Sequence, residues 1–210
     1  SLLGAGGFAL TYRATQCRWN LSVCIKEYFP DGSRRELHGI EPVDAASLQS
    51  FFEEGQSLAR FNHSGIVRML GTFSENNTIY LVQELLEGLT LADGLNMAGQ
   101  MNQSRVLEVA QQLGQALLMV HAAGLVHSDI KPENLFLTRG GRYVLLDFGL
   151  TRGFLSAAQA SLGGRGLSSG YAPPEQYEAN AAIRPETDVY GLAATMYCLL
   201  AGMAPPDAML

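Results

Sequence analysis

The chain has 210 residues and a formal net charge of −6, and 47% of its residues are hydrophobic whereas 16% are charged. This composition argues against an intrinsically disordered chain, and an acidic protein without basic blocks is not expected to bind nucleic acid or anionic membranes. Of the 14 basic residues only Lys26 and Lys131 are lysines. Either codon bias produced this excess of arginine, or these are two positions where arginine cannot replace lysine.

The cysteines are three in number, are widely spaced and form no Cys-x-x-Cys pair or Cys/His cluster. This pattern predicts reduced thiols and lacks the spacing of a zinc site. The start of the chain has no recognisable signal peptide. We therefore expect a cytoplasmic protein, or a cytoplasmic domain of a longer membrane-anchored chain.

The N-terminal third is predicted to be rich in β-structure. Turn-forming segments such as 74–77 separate its strand-like runs. One helix is expected after Ser47, a typical N-cap residue, because apolar residues recur there at helical spacing until segment 62–65. The predicted strands are Phe8–Ala14, Leu21–Tyr28, Val67–Thr72 and Ile79–Leu85.

A run of small residues lies among the first of these strands, with the sequence Gly4-Ala5-Gly6-Gly7-Phe8. Glycines let backbone amides approach phosphate oxygens closely, although taken alone such a run is more often a plain turn. The run does not open a helix, which disfavours a dinucleotide-binding fingerprint, and no Gly-Lys-Ser/Thr follows it to form a Walker loop.

Lys26 lies in an apolar predicted strand, Val23-Cys24-Ile25-Lys26. A lysine in such a place is costly to bury unless a carboxylate or a phosphate meets it. The predicted helix that follows offers Glu53 and Glu54 as carboxylate partners.

The rest of the chain is predicted to be mainly helical. Ser104 is a candidate N-cap for a long helix that ends before Gly124. Two short strands are expected at Leu135–Thr138 and Tyr143–Leu146. The uncharged segment Val189–Pro206 falls short of the roughly 20 apolar residues that a membrane span needs and is predicted to be a helix buried in a protein core.

The segment His127-Ser128-Asp129-Ile130-Lys131-Pro132-Glu133-Asn134 places a base, a cation and a neutral oxygen ligand in one loop. Asp147 follows thirteen residues beyond Asn134, after an apolar strand and before Phe148-Gly149. Oxygen ligands from two adjacent segments suit Mg²⁺, which keeps some of its waters and shares nucleotide phosphates.

In this order and spacing the motifs resemble those of the eukaryotic-type Ser/Thr protein kinases in their bacterial form. The resemblance implies that Lys26 holds the α- and β-phosphates of ATP and pairs with Glu54, with Glu53 as the alternative. It implies that Asp129 is the catalytic base, that Lys131 meets the transferred phosphoryl group, and that Asn134 and Asp147 bind the metal.

The same resemblance implies further nucleotide contacts. Gln83 takes the gatekeeper position, and the backbone of Glu84 and Leu86 is expected to meet the adenine, which Cys24 and Phe136 sandwich. The glycine loop that covers the phosphates consists of Gly4, Ala5, Gly6, Gly7 and Phe8.

Some positions depart from the family pattern. Ala9 replaces the third glycine of the loop, and Ser128 replaces an arginine that often meets a phosphorylated activation loop. Pro173-Pro174-Glu175 stands where Ala-Pro-Glu is usual, and Ser168 matches the hydroxyl residue that lies near the catalytic aspartate.

The resemblance therefore implies an α+β fold of two lobes, a β-rich N-lobe of residues 1–84 and a helical C-lobe of residues 85–210. Because members usually continue into further helices, we expect this chain to be truncated at its C-terminus. The implied activity is ATP-dependent phosphorylation of Ser or Thr in a protein substrate, including the chain itself, with Mg²⁺ or alternatively Mn²⁺. No nucleic-acid partner and no membrane contact are expected from this segment, and the sequence does not specify an oligomeric state.

Three other functions compete with this interpretation. A pseudokinase would bind nucleotide without transfer, and the substitutions at Ala9 and Ser128 are compatible with it. A kinase-like enzyme for a small molecule is less consistent with the segment 171–175. The run Gly166-Leu167-Ser168-Ser169-Gly170 matches a hydrolase nucleophile elbow, but no histidine follows Ser168 to complete a triad.

Overall fold

A computed structural model describes residues 1–5, 9–29, 45–147, 167–178 and 181–210 of the chain. The chain divides into two compact units. The N-terminal unit consists of residues 1–62 and 67–86, and the C-terminal unit of residues 63–66 and 87–210.

A five-stranded antiparallel sheet forms most of the N-terminal unit, in the order β1-β2-β3-β5-β4. The observed β3 coincides with the predicted strand, whereas β1 was not predicted separately from the glycine-rich run. Asn76 and Asn77 make the β4–β5 turn with positive φ angles of 51° and 58°, a conformation that asparagine tolerates better than most residues. The strands are β1 Leu2–Ala5, β2 Ala9–Gln16, β3 Leu21–Tyr28, β4 Met69–Glu75 and β5 Thr78–Glu84.

One helix, α1 (Ala45–Leu58), packs against β4 and β5 of this sheet. Its apolar face buries Phe51 and Leu58. A Cβ at Gly55 would lie 2.5 Å from the side chain of Leu81 on β5, so a larger residue here would have to displace that buried side chain. The prediction that Ser47 caps α1 was wrong, because the helix already begins at Ala45.

In the part of the C-terminal unit that the structure describes, three helices accompany a three-stranded antiparallel sheet of order β6-β7-β8. Helix α3 is buried along one face and packs against α4 and β8. Short 3-10 helices occupy Pro132–Asn134 and Pro174–Tyr177. The elements are α2 Leu91–Ala98, α3 Gln103–Ala122, α4 Pro185–Ala201, β6 Gly88–Thr90, β7 Leu135–Thr138 and β8 Tyr143–Leu145.

The observed ends of these helices show that two predicted helix starts were wrong. Helix α3 is capped by Asn102 rather than by Ser104, since the Asn102 side chain accepts a 2.9 Å hydrogen bond from the amide of Arg105. Helix α4 starts earlier than Val189, at Pro185, where proline suits the first helical position. It ends before Gly202, which adopts φ 74° as helix-terminating glycines do.

Helix α4 buries one face, which includes Ala194, Thr195 and Leu199, whereas Val189 and Tyr197 are exposed at 61% and 48%. The prediction that this segment is a helix buried in a protein core therefore holds for one face only. Within the described residues, no helix combines the length and the apolar character needed to cross a membrane.

Candidate active site

Lys26 lies on β3, the central strand of the N-terminal sheet, where it is opposite Thr11 of β2 and Leu81 of β5. Cys24 lies two residues earlier on the same strand and therefore on the same face. Gln83 of β5 is the cross-strand neighbour of Cys24 and is buried. The sheet thus brings Lys26, Cys24 and Gln83 to neighbouring positions.

The structure describes only some of the other predicted site residues in this unit. Gly4 and Ala5 belong to β1, whereas Gly6, Gly7 and Phe8 lie outside the described residues. Glu54 lies in α1, but its side chain is likewise outside the described part of the chain. The pairing of Lys26 with Glu54 therefore stays a prediction.

Glu84 ends β5 and is fixed to the residue before β4. Its amide donates to the carbonyl of Arg68 at 2.9 Å, and its carboxylate accepts from the amide of Arg68 at 3.0 Å. The amide and the carboxylate of Glu84 are thus both paired with the main chain of Arg68, which fixes this end of the strand.

The C-terminal unit brings Asp129, Lys131 and Ser168 together in one hydrogen-bonded cluster. Lys131 Nζ lies 2.8 Å from Asp129 Oδ2 and donates to Ser168 Oγ at 2.7 Å. Ser168 Oγ in turn donates to Asp129 Oδ1 at 2.7 Å. The Asp129 and Lys131 side chains keep exposed fractions of 26% and 23%, so a carboxylate and a cation remain partly open to solvent.

Asn134 joins this cluster through its amide nitrogen. Nδ2 donates to both the carbonyl oxygen of Asp129, at 2.8 Å, and its Oδ2, at 2.7 Å. Because both partners accept hydrogen bonds only, the orientation of the amide is fixed and Oδ1 points away from Asp129. Asn134 therefore presents an oxygen on the side opposite the carboxylate.

Asp147 is held next to Asn134 by main-chain pairing. Strands β7 and β8 are hydrogen-bonded neighbours, and the amide of Leu146 donates to the carbonyl of Asn134 at 2.9 Å. Asp147 has a positive φ of 21°, where the chain leaves the sheet. Phe136, on β7, lies opposite Val144 and Thr90 in the same sheet.

A buried carboxylate supports the loop that carries Asp129. Asp188 in the first turn of α4 is 0% exposed. It accepts from the amides of His127 at 2.9 Å and Ser128 at 2.7 Å, and His121 Nε2 lies 2.7 Å from its Oδ2. These bonds hold Ser128 at φ 63°, a conformation that costs energy for a residue other than glycine.

His127 is fully buried and links this loop to the chain before Asp147. The amide of Asp129 donates to His127 Nδ1 at 3.3 Å, and His127 Nε2 lies 2.8 Å from the carbonyl oxygen of Leu146. An amide can only donate and a carbonyl can only accept, so both contacts are satisfied by a neutral imidazole protonated on Nε2.

Glu175 accepts a 2.9 Å hydrogen bond from the hydroxyl of Thr187 in the first turn of α4. The neighbouring Gln176 is buried and donates to the carbonyl of Ser128 at 2.8 Å. Thr187 and Gln176 were not predicted from the sequence, and for Gln176 the signal was its position directly after Glu175. Within the described ranges, no group of three or more His, Cys, Asp and Glu side chains is arranged to hold a metal ion.

Residues 1–208 match the sequence family described as "Protein kinase domain". The chain is 32% identical to the serine/threonine-protein kinase pkn2 of Myxococcus xanthus, over 99% of this chain and 24% of that protein. It is also 32% identical to the serine/threonine-protein kinase PknL of Mycobacterium tuberculosis, over 97% of this chain and 48% of that protein. The chain thus spans less than half the length of these curated relatives.

Two solved structures share the fold. The structure described as "PpkA-294 apo form" superposes with a TM-score of 0.84 at 29% identity, covering 100% of this chain and 76% of that one. The crystal structure of Rad53 1–466 in complex with AMP-PNP gives a TM-score of 0.73 at 22% identity, over 98% of this chain and 48% of the other. These similarities confirm the predicted α+β kinase-like fold.

Proposed function

Because the chain belongs to the protein kinase domain family, we propose that it transfers the γ-phosphoryl group of ATP to Ser or Thr hydroxyls of proteins, including its own. The observation that carries this proposal is the cluster in which Ser168 bridges Asp129 and Lys131. A partly exposed carboxylate paired with a lysine is suited to receive a hydroxyl and the charged group that the hydroxyl attacks.

In the proposed reaction, the substrate hydroxyl oxygen bonds to the γ-phosphorus as the bond to the β-phosphate bridging oxygen breaks, and ADP leaves. Asp129 accepts a hydrogen bond from the hydroxyl, orients it and takes its proton late in the transfer. Lys131, 2.8 Å from Asp129, neutralises charge on the transferred group. Catalysis on this scheme is mainly positioning and charge neutralisation.

The donor set also fits a divalent cation. Oδ1 of Asn134 is turned away from Asp129, and Asp147 follows the strand that pairs with Asn134. An amide oxygen and a carboxylate suit Mg²⁺, with Mn²⁺ as the alternative, better than a soft metal. When bound, the ion would neutralise phosphate charge, and Asn134 and Asp147 would hold it.

The N-terminal unit supplies the proposed nucleotide contacts. Lys26 would hold the α- and β-phosphates with Glu54 as its partner, and the backbone of Gly4, Ala5, Gly6, Gly7 and Phe8 would cover them. Cys24 and Phe136 would sandwich the adenine, beside Gln83. The backbone of Glu84 and Leu86 would meet the adenine edge. In this scheme residues 1–84 form the N-lobe and residues 85–210 the C-lobe.

The proposed setting of this reaction is cytoplasmic, where ATP and protein acceptors are present. None of the three cysteines forms a disulfide in the described chain, which accords with a reducing compartment. The proposal concerns this chain alone, which spans less than half the length of its curated relatives.

The direct test incubates the chain with Mg²⁺ and ATP labelled at the γ-phosphate, with a generic acceptor such as casein. Acid hydrolysis of the labelled protein should yield phosphoserine or phosphothreonine. A chain that gains thermal stability with Mg-ATP but transfers no label to casein or to itself would contradict the proposal.

Replacing Lys26 by arginine should lower kcat/KM for ATP by roughly 100-fold, because a longer planar guanidinium misplaces the charge at the phosphates. Steady-state rates at varied ATP measure this effect. Arg139→Lys is the control, since Arg139 is 81% exposed and pairs only loosely with Glu87 at 3.5 Å. Activity of Lys26→Arg within threefold of the wild-type chain would show that this placement of Lys26 is wrong.

Cys24 should react with a thiol-directed adenine analogue, and ATP should protect it. The experiment uses a Cys17→Ser background, because Cys17 is exposed whereas Cys198 is buried. Mass spectrometry of the peptide containing Cys24 measures labelling with and without Mg-ATP. The proposed adenine contact predicts at least fivefold slower labelling with saturating Mg-ATP, and equal rates would rule it out.

A further inference from the structure

The turn that carries Ser168 has a second anchor, which lies outside the cluster formed by Asp129, Lys131 and Ser168. Ser168 Oγ contacts Asp129 and Lys131, whereas the next hydroxyl, Ser169 Oγ, donates to Asp207 Oδ2 at 2.7 Å. Adjacent hydroxyls in one turn are therefore held by two different carboxylates. Any movement of Ser169 would be transmitted through one peptide unit to Ser168.

Main-chain contacts make this turn rigid on both sides of Ser169. The carbonyl of Ser168 accepts from the amides of Tyr171 and Ala172, both at 2.9 Å. Gly170 has φ 83°, and a Cβ on it would lie 2.4 Å from the carbonyl oxygen of Pro205. The turn thus rests directly against the segment that contains Asp207.

The Asp207 carboxylate accepts several hydrogen bonds. Besides Ser169, it accepts from the hydroxyl of Tyr177 at 2.6 Å and from the amide of Met209 at 2.9 Å. The hydrogen bond from Tyr177, followed by those from Met209 and Ser169, lowers the pKa of Asp207 below its ordinary value. The same bond to Asp207 raises the pKa of Tyr177 to about 12. At neutral pH Asp207 is therefore an ionised acceptor and Tyr177 is a protonated donor.

We propose that Asp207 is a positioning residue for phosphoryl transfer, which fixes the turn 168–171 so that Ser168 stays on Asp129 and Lys131. Asp207 itself does not touch the cluster of reacting groups. Its carboxylate ties together three pieces of chain: the turn, the 3-10 helix Pro174–Tyr177 and the segment after α4. This inference rests on the proposed kinase function.

The structure indicates which kinetic constant should change. The turn lies on the side of Asp129 where Ser168 bridges the carboxylate and the lysine, so its disorder should affect the acceptor hydroxyl. Binding of ATP depends on other groups. Loss of the anchor should therefore lower kcat/KM for the protein acceptor and leave KM for ATP nearly unchanged.

The test compares the 210-residue chain with its Asp207→Asn and Ser169→Ala variants. An asparagine at 207 keeps the shape but offers one acceptor oxygen where the carboxylate offers two, and it removes the negative charge that strengthens the hydrogen bonds from Tyr177 and Ser169. We expect about a tenfold loss of kcat/KM for casein in Asp207→Asn, a smaller loss in Ser169→Ala, and KM for ATP within twofold. The double variant should lose little beyond Asp207→Asn, since both changes break one contact.

Asp93→Asn is the matched control. Asp93 is a carboxylate in the first turn of α2 that bonds only locally, to Thr90. Amide hydrogen exchange of peptides covering 167–172 gives a readout independent of activity: it should accelerate in Asp207→Asn and stay at the wild-type rate in Asp93→Asn. Unchanged exchange with kcat/KM for casein within twofold would overturn the inference while leaving the kinase assignment intact. Absence of transfer by the wild-type chain would instead overturn the proposed function, and this inference with it.

Discussion

Replacing Asp129 by asparagine is expected to lower kcat for phosphoryl transfer by about 10²- to 10⁴-fold, the range over which a positioned general base acts. The amide cannot take the proton of the acceptor hydroxyl. An asparagine keeps one oxygen that can still accept from Lys131 Nζ and Asn134 Nδ2, which now meet Oδ2 at 2.8 Å and 2.7 Å. Its NH2 group then faces the Ser168 hydroxyl, which can accept a hydrogen bond. The fall in kcat should therefore report the missing base and not a collapse of the cluster.

Initial rates at saturating Mg-ATP and casein measure this effect, and the dissociation constant for Mg-ATP is measured separately by calorimetry. Binding should stay within about threefold of the wild-type value. Asp93→Asn provides the same chemical change at a carboxylate outside the cluster. If Asp129→Asn kept more than a tenth of the wild-type kcat, Asp129 would not be the catalytic base.

The parts of this site that are local in sequence could be predicted from the sequence. Asp129, Lys131 and Asn134 fall within six residues, and their order and spacing were enough to expect the cluster that the structure shows. Strand β3 was predicted with its observed bounds, since its uninterrupted β-prone run has clear turn signals on both sides. The roles of these residues in nucleotide binding remain proposals.

The parts that depend on distant contacts could not be predicted in the same way. Asp207 meets Ser169 38 positions away, and no spacing rule relates an aspartate after a Pro-Pro pair to a hydroxyl in a glycine-rich loop. The short elements β6 and α2 were missed because three strand residues and eight helical residues give too little periodicity. The cap of α3 was misplaced by two positions, since Asn102 and Ser104 are both good N-cap residues and only geometry selects between them.

The second large effect is expected at Asp188, whose replacement by alanine should destabilise the C-terminal unit. The buried backbone amide of His127 and the partly buried amide of Ser128 would lose their acceptor, and His121 would lose its partner. Each unsatisfied buried donor costs about 1–3 kcal/mol, so we expect a loss of about 3–5 kcal/mol in the free energy of unfolding. That loss corresponds to a fall in Tm of about 10 °C for a chain of this size.

The same change should impair catalysis in the molecules that remain folded. Ser128 at φ 63° is held by its bond to Asp188, and without that bond it is expected to relax toward a negative φ. Because Asp129 is the next residue, its carboxylate would turn away from Lys131 and Ser168. We therefore expect kcat to fall at least tenfold at a temperature where the variant is fully folded by circular dichroism.

Glu186→Ala is the matched control for Asp188→Ala, because Glu186 is exposed in the same first turn of α4. Its loss removes only a favourable charge at the helix N-terminus, worth about 0.3–1 kcal/mol. Asp188→Asn should be intermediate, since one oxygen remains to accept from a single amide. A Tm of Asp188→Ala within 2 °C of Glu186→Ala would show that the buried carboxylate does not support the loop. A large loss of Tm with an unchanged kcat would show that Asp188 stabilises the fold but does not position Asp129.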